Sequence, residues 1–278
     1  MNGIFDPNTH IKTITLVGVG GTGTSTARIV ARILYDMQRA RQHTPSLVLI
    51  DPDRVEEKNI GRQALFAPAD IGQFKAECVA RRLNAALGLD IGWIAEPLDP
   101  ERHADRFGST LVISCVDNHE ARRVVHRMKG VVLAGGNHAD SGQVCIGNTD
   151  DLDLMRRFID GRDGKYPYLP KEGLLFPALL EPEPPSERPL PTPGASCADL
   201  VDAGYQHLLI NDWIATVIGT YVYKLLHRQP IRTFMTFVSL DGISSRSLIV
   251  CRDELLAYLP ERVNSNVTVG KLSVPAKV

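Results

Sequence analysis

The chain has 278 residues, of which 44% are hydrophobic and 23% are charged, and its formal net charge is −1. This length and composition are typical of a well-cored α/β protein with one large domain or two small ones. The near-neutral charge and the lack of a basic block argue against nucleic acid as the main partner, because phosphate binding needs a basic surface.

The amino-terminal residues MNGIFDPNTHIK contain no apolar stretch of the kind found in secretory signals. The most apolar segment, 208–226, carries Asn211, Asp212 and Lys224. Charges inside a membrane span are costly, so we interpret this segment as a buried helix. The five cysteines form no C-x-x-C pair, which argues against a zinc site and a disulfide framework. We therefore expect a cytoplasmic protein without membrane contact and without zinc.

Apolar, strand-like runs alternate with amphipathic segments through residues 11–150. The predicted strands cover 11–18, 46–51, 91–98, 110–117, 130–136 and 141–149, and the predicted helices cover 24–40, 73–87 and 120–128. This order is typical of a doubly wound, Rossmann-like α/β sheet that is mostly parallel, with right-handed crossovers. The strand ends at Gly18, Asp51 and Asp117 would then meet at one carboxyl edge, where such sheets bind ligands.

The alternation stops after Asp150. Residues 166–194 are crowded with prolines, and we expect a crossover loop without regular structure there. An apolar helix over 205–227 and a β-hairpin over 231–250, with its turn at Asp241 and Gly242, are predicted to follow. We expect a single domain over 1–278, divided into a nucleotide-binding half (11–150), a crossover loop (151–196), a helix and hairpin half (197–260) and a tail (261–278).

The sequence GVGGTG lies between a predicted strand and a predicted helix, as a phosphate-binding turn requires. The glycines Gly18, Gly20, Gly21 and Gly23 would let the backbone approach phosphates, and the helix amino terminus would supply N–H donors. The pattern also fits the G-x-G-x-x-G turn of dinucleotide sites. It therefore predicts nucleotide binding without choosing between NAD and ATP, and a turn packed for structure is the alternative.

The segment DPDRVEEKNIGRQALF begins at Asp51, where the second predicted strand ends. An acid at this position commonly accepts hydrogen bonds from ribose hydroxyls. Adenylyl transfer must also neutralise the α-phosphate, for which Arg62 and Lys75 can supply cations. Asn59 and Gln63 can supply neutral donors. For each of these residues taken alone, a solvated surface role is the alternative.

Four elements resemble, in order, the ThiF/MoeB/HesA superfamily, which includes the ubiquitin-activating enzymes. They are the turn GVGGTG, the segment DPDRVEEKNIGRQALF, the Lys-Ala helix start in DIGQFKAECVARRLNAAL, and CVDN at a strand end. Together they span residues 11 to about 150, and a weaker resemblance continues to the hairpin. The compact build also resembles the ThiF-like proteins of PRTRC gene clusters.

The resemblance implies a role for each residue of the pattern. Asp51 would hold the ribose, and Asp53 would lie near the metal and the phosphates. Asp117 of CVDN would ligate Mg²⁺, a hard cation that prefers carboxylate and phosphate oxygens, with helix capping as the alternative role. The triphosphate would be surrounded by the remaining set, Asn59, Arg62, Gln63 and Lys75.

The reaction implied by the resemblance is ATP-dependent adenylation. The terminal carboxylate of a small ubiquitin-like β-grasp protein, ending in Gly-Gly, would attack the α-phosphate of ATP and release pyrophosphate. Such chemistry depends on positioning and charge stabilisation. Cys197 occupies the region where many relatives carry a cysteine that accepts the acyl group as a thioester, and a partly buried, inert thiol is the alternative. The resemblance also implies a homodimer.

Many members of the superfamily carry an arginine near the amino terminus that reaches the partner subunit's ATP. Here no arginine precedes Arg28, so this function is absent, replaced by Lys12 or another group, or supplied by a partner. Three other functions remain open: activation of a tRNA or small-molecule carboxylate, a catalytically silent scaffold, and an NAD-dependent oxidoreductase. The last would give no role to Arg62, Gln63, Lys75 and Asp117.

Overall fold

The computed structural model describes residues 3–63, 65–103, 110–182 and 209–260. Its strands are β1 (Ile4–Phe5), β2 (Thr13–Val17), β3 (Ser46–Ile50), β4 (Gly92–Ile94), β5 (Thr110–Ser114), β6 (Val131–His138), β7 (Ser141–Gly147), β8 (Lys165–Tyr166), β9 (Thr233–Ser239) and β10 (Ser244–Ile249). Its α-helices are α1 (Gly21–Arg39), α2 (Lys75–Leu87), α3 (Pro100–His103), α4 (His119–Arg127), α5 (Leu152–Arg157), α6 (Glu172–Leu175), α7 (Ile210–Leu226) and α8 (Arg252–Tyr258).

The main sheet has the strand order β10-β9-β7-β6-β5-β2-β3-β4, and β1 pairs separately with β8. The strands from β4 to β6 are parallel to one another. From β6 to β10 each neighbouring pair is antiparallel. This mostly parallel sheet with an antiparallel end confirms the predicted fold class, and the carboxyl ends of β2, β3 and β5 lie side by side.

Helices cover both faces of the sheet, as a doubly wound fold requires. On one face α7 packs against Gly135, where an added methyl group would meet Ile214 and Ile218. On the other face the next residue, Gly136, lies beside Arg122 of α4. The inward face of α1 is apolar and buried, and it carries Ala27, Val30, Leu34 and Met37.

The crossover region contains more regular structure than its prolines predict. The segment that precedes residue 183 forms β8, α6 and a 3₁₀ helix at Pro177–Leu180, so the prediction of an irregular loop is wrong there. Pro177 opens the 3₁₀ helix, where its missing N–H would have had no partner in any case. Residues 183–208, which include Cys197, and the tail from 261 lie outside the described residues.

The predicted hairpin is confirmed by the antiparallel pairing of β9 with β10. Its turn differs in one respect from the Asp-Gly expectation, because the left-handed residue is Ile243 (φ 44°) rather than Gly242. Among the described helices, none is long and apolar enough to cross a membrane.

Two buried charged residues at the start of α6 hold α4 against the sheet. The Nζ atom of Lys171 donates to the carbonyl oxygens of His126 and Met128, each at 2.8 Å. These carbonyls lie at the carboxyl end of α4, so the ammonium group satisfies acceptors that the helix leaves open. Glu172 contacts Arg122 of α4 at 3.4 Å. The position of α4 is therefore fixed by charged groups of the crossover region.

Burial lowers the pKa of Lys171 below its ordinary value of 10.5. Between the lowered pKa and 10.5 the unfolded chain binds more protons than the folded protein, so Lys171 makes stability rise with pH over that window. We expect Lys171→Met to remove this rise and to cost about 1–3 kcal/mol at pH 7, because two carbonyls lose their donor. The gap between wild type and variant should widen from pH 7 to pH 10 in urea unfolding; a constant gap would contradict the assignment.

Candidate functional site

The glycine turn between β2 and α1 is tightly packed at its two ends and open in the middle. Gly18 has φ +84°, and a methyl group there would lie 2.7 Å from the carbonyl oxygen of Cys115. A methyl group at Gly23 would lie 1.9 Å from the carbonyl oxygen of Gly18. At Gly20 an added methyl group meets no atom within 4 Å. Gly20 is also the N-cap of α1 and provides no side-chain cap, so the amino end of this helix has room for an anion.

Asp51 follows β3 and joins the glycine turn to the next segment. Its Oδ2 atom accepts a hydrogen bond from the backbone N–H of Val19 at 2.5 Å. Its Oδ1 atom accepts from the N–H of Asp53 at 2.8 Å. The side chain is buried, and this burial raises the pKa of Asp51 despite the two hydrogen bonds, which act in the opposite direction. The predicted acid is therefore placed directly against the predicted turn.

Lys75 and Asp53 form an ion pair beside this carboxylate. The Nζ atom of Lys75 lies 2.9 Å from Oδ2 of Asp53, and the two residues also share a backbone hydrogen bond of 2.9 Å. The side chain of Lys75 is 10% exposed, whereas that of Asp53 is 64% exposed. Three of the predicted site residues, Asp51, Asp53 and Lys75, are thus brought together.

The turn that carries Asn59, Arg62 and Gln63 is held by its own hydrogen bonds. The Oδ1 atom of Asn59 accepts from the N–H of Glu56 at 2.8 Å, and its carbonyl oxygen accepts from the N–H groups of Arg62 and Gln63. Asn59 therefore stabilises the turn itself. Gln63 is also buried, and its Oε1 atom has no hydrogen-bond partner among the described residues. An unsatisfied buried acceptor is rare in proteins and indicates a place for a further polar group.

Asp117 is exposed just beyond β5, at the same edge of the sheet. The cap of α4 is Asn118, whose Oδ1 atom accepts from the N–H of Ala121 at 2.8 Å. The alternative role of Asp117 as the helix cap is therefore wrong. Where the chain is described, no three His, Cys, Asp or Glu side chains cluster as metal ligands do. Magnesium binding by Asp117 remains a prediction.

The contribution of α7 to the glycine turn was not predicted from the sequence. The Oδ1 atom of Asn211 accepts from Thr22 Oγ1 at 2.8 Å and from Asn137 Nδ2 at 2.6 Å. The next residue, Asp212, accepts from Ser25 Oγ at 2.6 Å. A signal was available, because polar side chains within an apolar helix need partners when they are buried. The sequence does not say which residues those partners are.

The positions of Lys12, the predicted substitute for the amino-terminal arginine, and of Cys115 limit what each residue can do at this site. Lys12 precedes β2 at the opposite edge of the sheet, and the extended chain from Lys12 to Gly18 spans about 20 Å, further than a lysine side chain reaches. Lys12 therefore cannot serve its own chain's glycine turn. Burial raises the pKa of the Cys115 thiol to about 12, so this cysteine is not a thiolate at neutral pH. Cys197 falls outside the described residues.

Comparison with known proteins gives a family and several relatives. The model of the ThiF family matches residues 9–252. Ubiquitin-like modifier-activating enzyme 7 of Homo sapiens is 32% identical over 133 residues, which cover 43% of this chain and 12% of that protein. Ubiquitin-like modifier-activating enzyme 5 of Drosophila ananassae is 32% identical over 137 residues, which cover 41% of this chain and 30% of that protein. The chain thus spans less than a third of either relative.

Solved structures share the fold over most of the chain. PaaA aligns with a TM-score of 0.54 and 18% identity, covering 86% of this chain and 64% of PaaA. MccB of E. coli, solved with ATP, aligns with a TM-score of 0.52 and 16% identity, covering 87% of this chain and 64% of MccB. At this level of identity the similarity establishes the architecture alone.

The packing of the turn predicts different outcomes for two glycine substitutions. Gly23→Ala should destabilise the protein by more than about 3 kcal/mol, because the new methyl group would overlap the carbonyl oxygen of Gly18. Gly20→Ala should cost less, because the new methyl group meets no atom and only the backbone angles, φ −82° and ψ −145°, disfavour alanine. Thermal unfolding of both variants measures the difference, and equal midpoints would show that the turn is not packed in this way.

Proposed function

The chain belongs to the ThiF family, and on that premise we propose that it uses ATP to adenylate a carboxylate, namely the carboxyl terminus of a small ubiquitin-like protein. The observation that carries the proposal is the meeting of the glycine turn, the Asp51 carboxylate and the Lys75 ammonium at one edge of the sheet. Two relatives are named as ubiquitin-like modifier-activating enzymes, and E. coli MccB has been solved with ATP.

The geometry suits a nucleotide whose phosphates lie over Gly20. The N–H groups at the start of α1 would donate to phosphate oxygens, aided by the positive end of the helix dipole. Each oxygen of Asp51 accepts one backbone hydrogen bond and keeps a second lone pair, which can accept a ribose hydroxyl. Gln63 supplies a buried amide whose oxygen still lacks a partner in the described structure.

Charge neutralisation would come from Lys75, Arg62 and Mg²⁺. Lys75 pairs with Asp53 in this structure, and the high exposure of Asp53 leaves space for the ammonium to turn from the carboxylate to a phosphate. The carboxylates of Asp117 and Asp53 suit Mg²⁺, a cation that takes one or two protein carboxylates and completes its shell with phosphate oxygens and water. When bound, the ion would neutralise the charge that develops on the phosphates.

In the proposed reaction an oxygen of the substrate carboxylate attacks the α-phosphorus. The bond between the α-phosphorus and the bridging oxygen breaks, and pyrophosphate leaves with the electron pair. The attacking carboxylate is already ionised at neutral pH, so no general base is needed. The acyl adenylate then becomes open to a thiol. Thioester formation on Cys197, a homodimeric state and a cytoplasmic location stay predictions.

Exchange of labelled pyrophosphate into ATP tests the proposal. The purified chain, ATP and magnesium are incubated with a small protein ending in Gly-Gly, with the same protein carrying a C-terminal amide, or with no protein. Exchange that requires the free carboxylate is the expected result. Exchange that requires a tRNA or a small acid instead would show that the chain activates that carboxylate and not a protein. ATP binding without any exchange would indicate a scaffold, and binding of reduced nicotinamide would indicate an oxidoreductase.

Lys75 provides a direct test of charge stabilisation at this site. We expect Lys75→Ala to lower the exchange rate about 100-fold, because a buried cation next to the developing negative charge is removed. The matched control is Lys165→Ala, which removes an exposed lysine that pairs with Asp6. The control should exchange at the wild-type rate. Equal rates for Lys75→Ala and wild type would remove Lys75 from the mechanism.

Gln63→Met separates binding from stability. Methionine has nearly the same length and only a weak acceptor in its thioether sulfur, so most of the penalty of about 1–3 kcal/mol for an unpaired buried oxygen disappears. We expect the variant to be at least as stable as wild type in thermal unfolding while its affinity for ATP falls about tenfold. A variant that is stable and binds ATP normally would show that this oxygen does not face the nucleotide.

A further inference from the structure

The amino end of α7 contacts the amino end of α1 through the buried residues Thr22, Ser25 and Asn211 and the exposed Asp212. Asn211 accepts from Thr22, and Asp212 accepts from Ser25, so two successive residues of α7 hold α1 close to its amino end. Asn211 also packs directly on the glycine turn, since a methyl group at Gly21 would lie 2.6 Å from Asn211 Nδ2.

The amide of Asn211 is itself held in one orientation. Its Oδ1 atom accepts from Asn137 Nδ2 at 2.6 Å as well as from Thr22 Oγ1, and a single oxygen that receives two donors cannot rotate without losing both. Asn137 lies near the carboxyl end of β6. The hydrogen bond from β6 therefore fixes the orientation of Asn211, and Asn211 in turn fixes the position of Thr22 in the glycine turn. At Gly20 an added methyl group would meet no atom, so packing at that position does not hold the turn.

We propose that Asn211 is a positioning residue for the nucleotide, which acts by keeping Thr22 and Gly21 in the phosphate-binding conformation before the ligand arrives. This inference rests on the proposed function, because it assigns Asn211 to the same phosphate site. If only a fraction of the molecules hold the turn in the competent conformation, the apparent affinity for the ligand is reduced by that fraction. A saturating concentration of ligand restores the conformation. Loss of the Asn211 contacts should therefore lower the affinity for the nucleotide and leave the rate of the chemical step unchanged.

The test is the affinity of Asn211→Ala for a non-hydrolysable ATP analogue, measured by calorimetry with magnesium present. We expect the dissociation constant to rise about tenfold, since two hydrogen bonds to one buried oxygen are lost. The KM for ATP in pyrophosphate exchange should rise by the same factor, while kcat changes by less than about twofold. A role in stability alone would not produce this division between KM and kcat.

The matched control is Tyr221→Phe on the same helix. The hydroxyl of Tyr221 contacts Thr233 Oγ1 and Thr236 Oγ1, so the control also removes two buried hydrogen bonds from α7, at a distance from the glycine turn. Its affinity for the analogue should equal that of wild type. A second variant, Asn137→Ala, removes one donor from Asn211 and should raise the dissociation constant about threefold, which keeps the test available if Asn211→Ala does not fold.

The outcomes separate the two claims. If wild type binds the analogue and neither Asn211→Ala nor Asn137→Ala binds more weakly than Tyr221→Phe, the inference about Asn211 is overturned and the proposed function stands. If wild type does not bind the analogue, both are overturned. A loss of affinity confined to the Asn211 and Asn137 variants supports the inference.

Discussion

The candidate site depends on one hydrogen bond, from the backbone N–H of Val19 to the carboxylate of Asp51. Parallel pairing sets Val17 of β2 opposite Ile50 of β3, and the N–H of Gly18 extends the ladder by donating to the Ile50 carbonyl oxygen at 2.9 Å. The residues after these two strands must therefore come side by side. An acid in the position of Asp51 meets the turn after β2 because of strand register, before any ligand is present.

This arrangement restrains the glycine turn from several directions at once. Asp51 holds it from the β3 side, and Asn211 holds it from α7. Below it, the carbonyl oxygen of Cys115 lies so close to Gly18 that no side chain fits between them. Backbone donors that are already fixed lose little entropy when they bind an anion and need little reorganisation during a reaction. The tight packing of Gly18 and Gly23 around an open Gly20 has the form that such preorganisation requires.

Much of this site was predictable from sequence, because it follows from local patterns. Apolar periodicity identified β2, α1 and β3, and their ends placed Asp51 beside the glycine turn. The contact between Thr22 and Asn211 joins residues 189 positions apart. Periodicity shows which face of a helix is buried but not which element covers it, so this contact was beyond sequence reasoning. The short helix α6 was missed for a different reason. Its four residues are too few to show a helical pattern, and the prolines around it predicted an irregular loop.

Charge balance decides how such a site can hold a triphosphate. The proposed residues include two cations, Arg62 and Lys75, and three carboxylates, Asp51, Asp53 and Asp117. Lys75 is already paired with Asp53 at 2.9 Å, so the arrival of a phosphate must either displace Asp53 or bring its own counter-ion. A divalent cation would meet both needs, because the displaced carboxylate could hold it and it would supply positive charge beside the phosphates. With Asp53 holding the proposed magnesium ion, Lys75 would be available to the α-phosphate, and the exposure of Asp53 and Asp117 at the edge of the sheet leaves room for an ion beside the nucleotide.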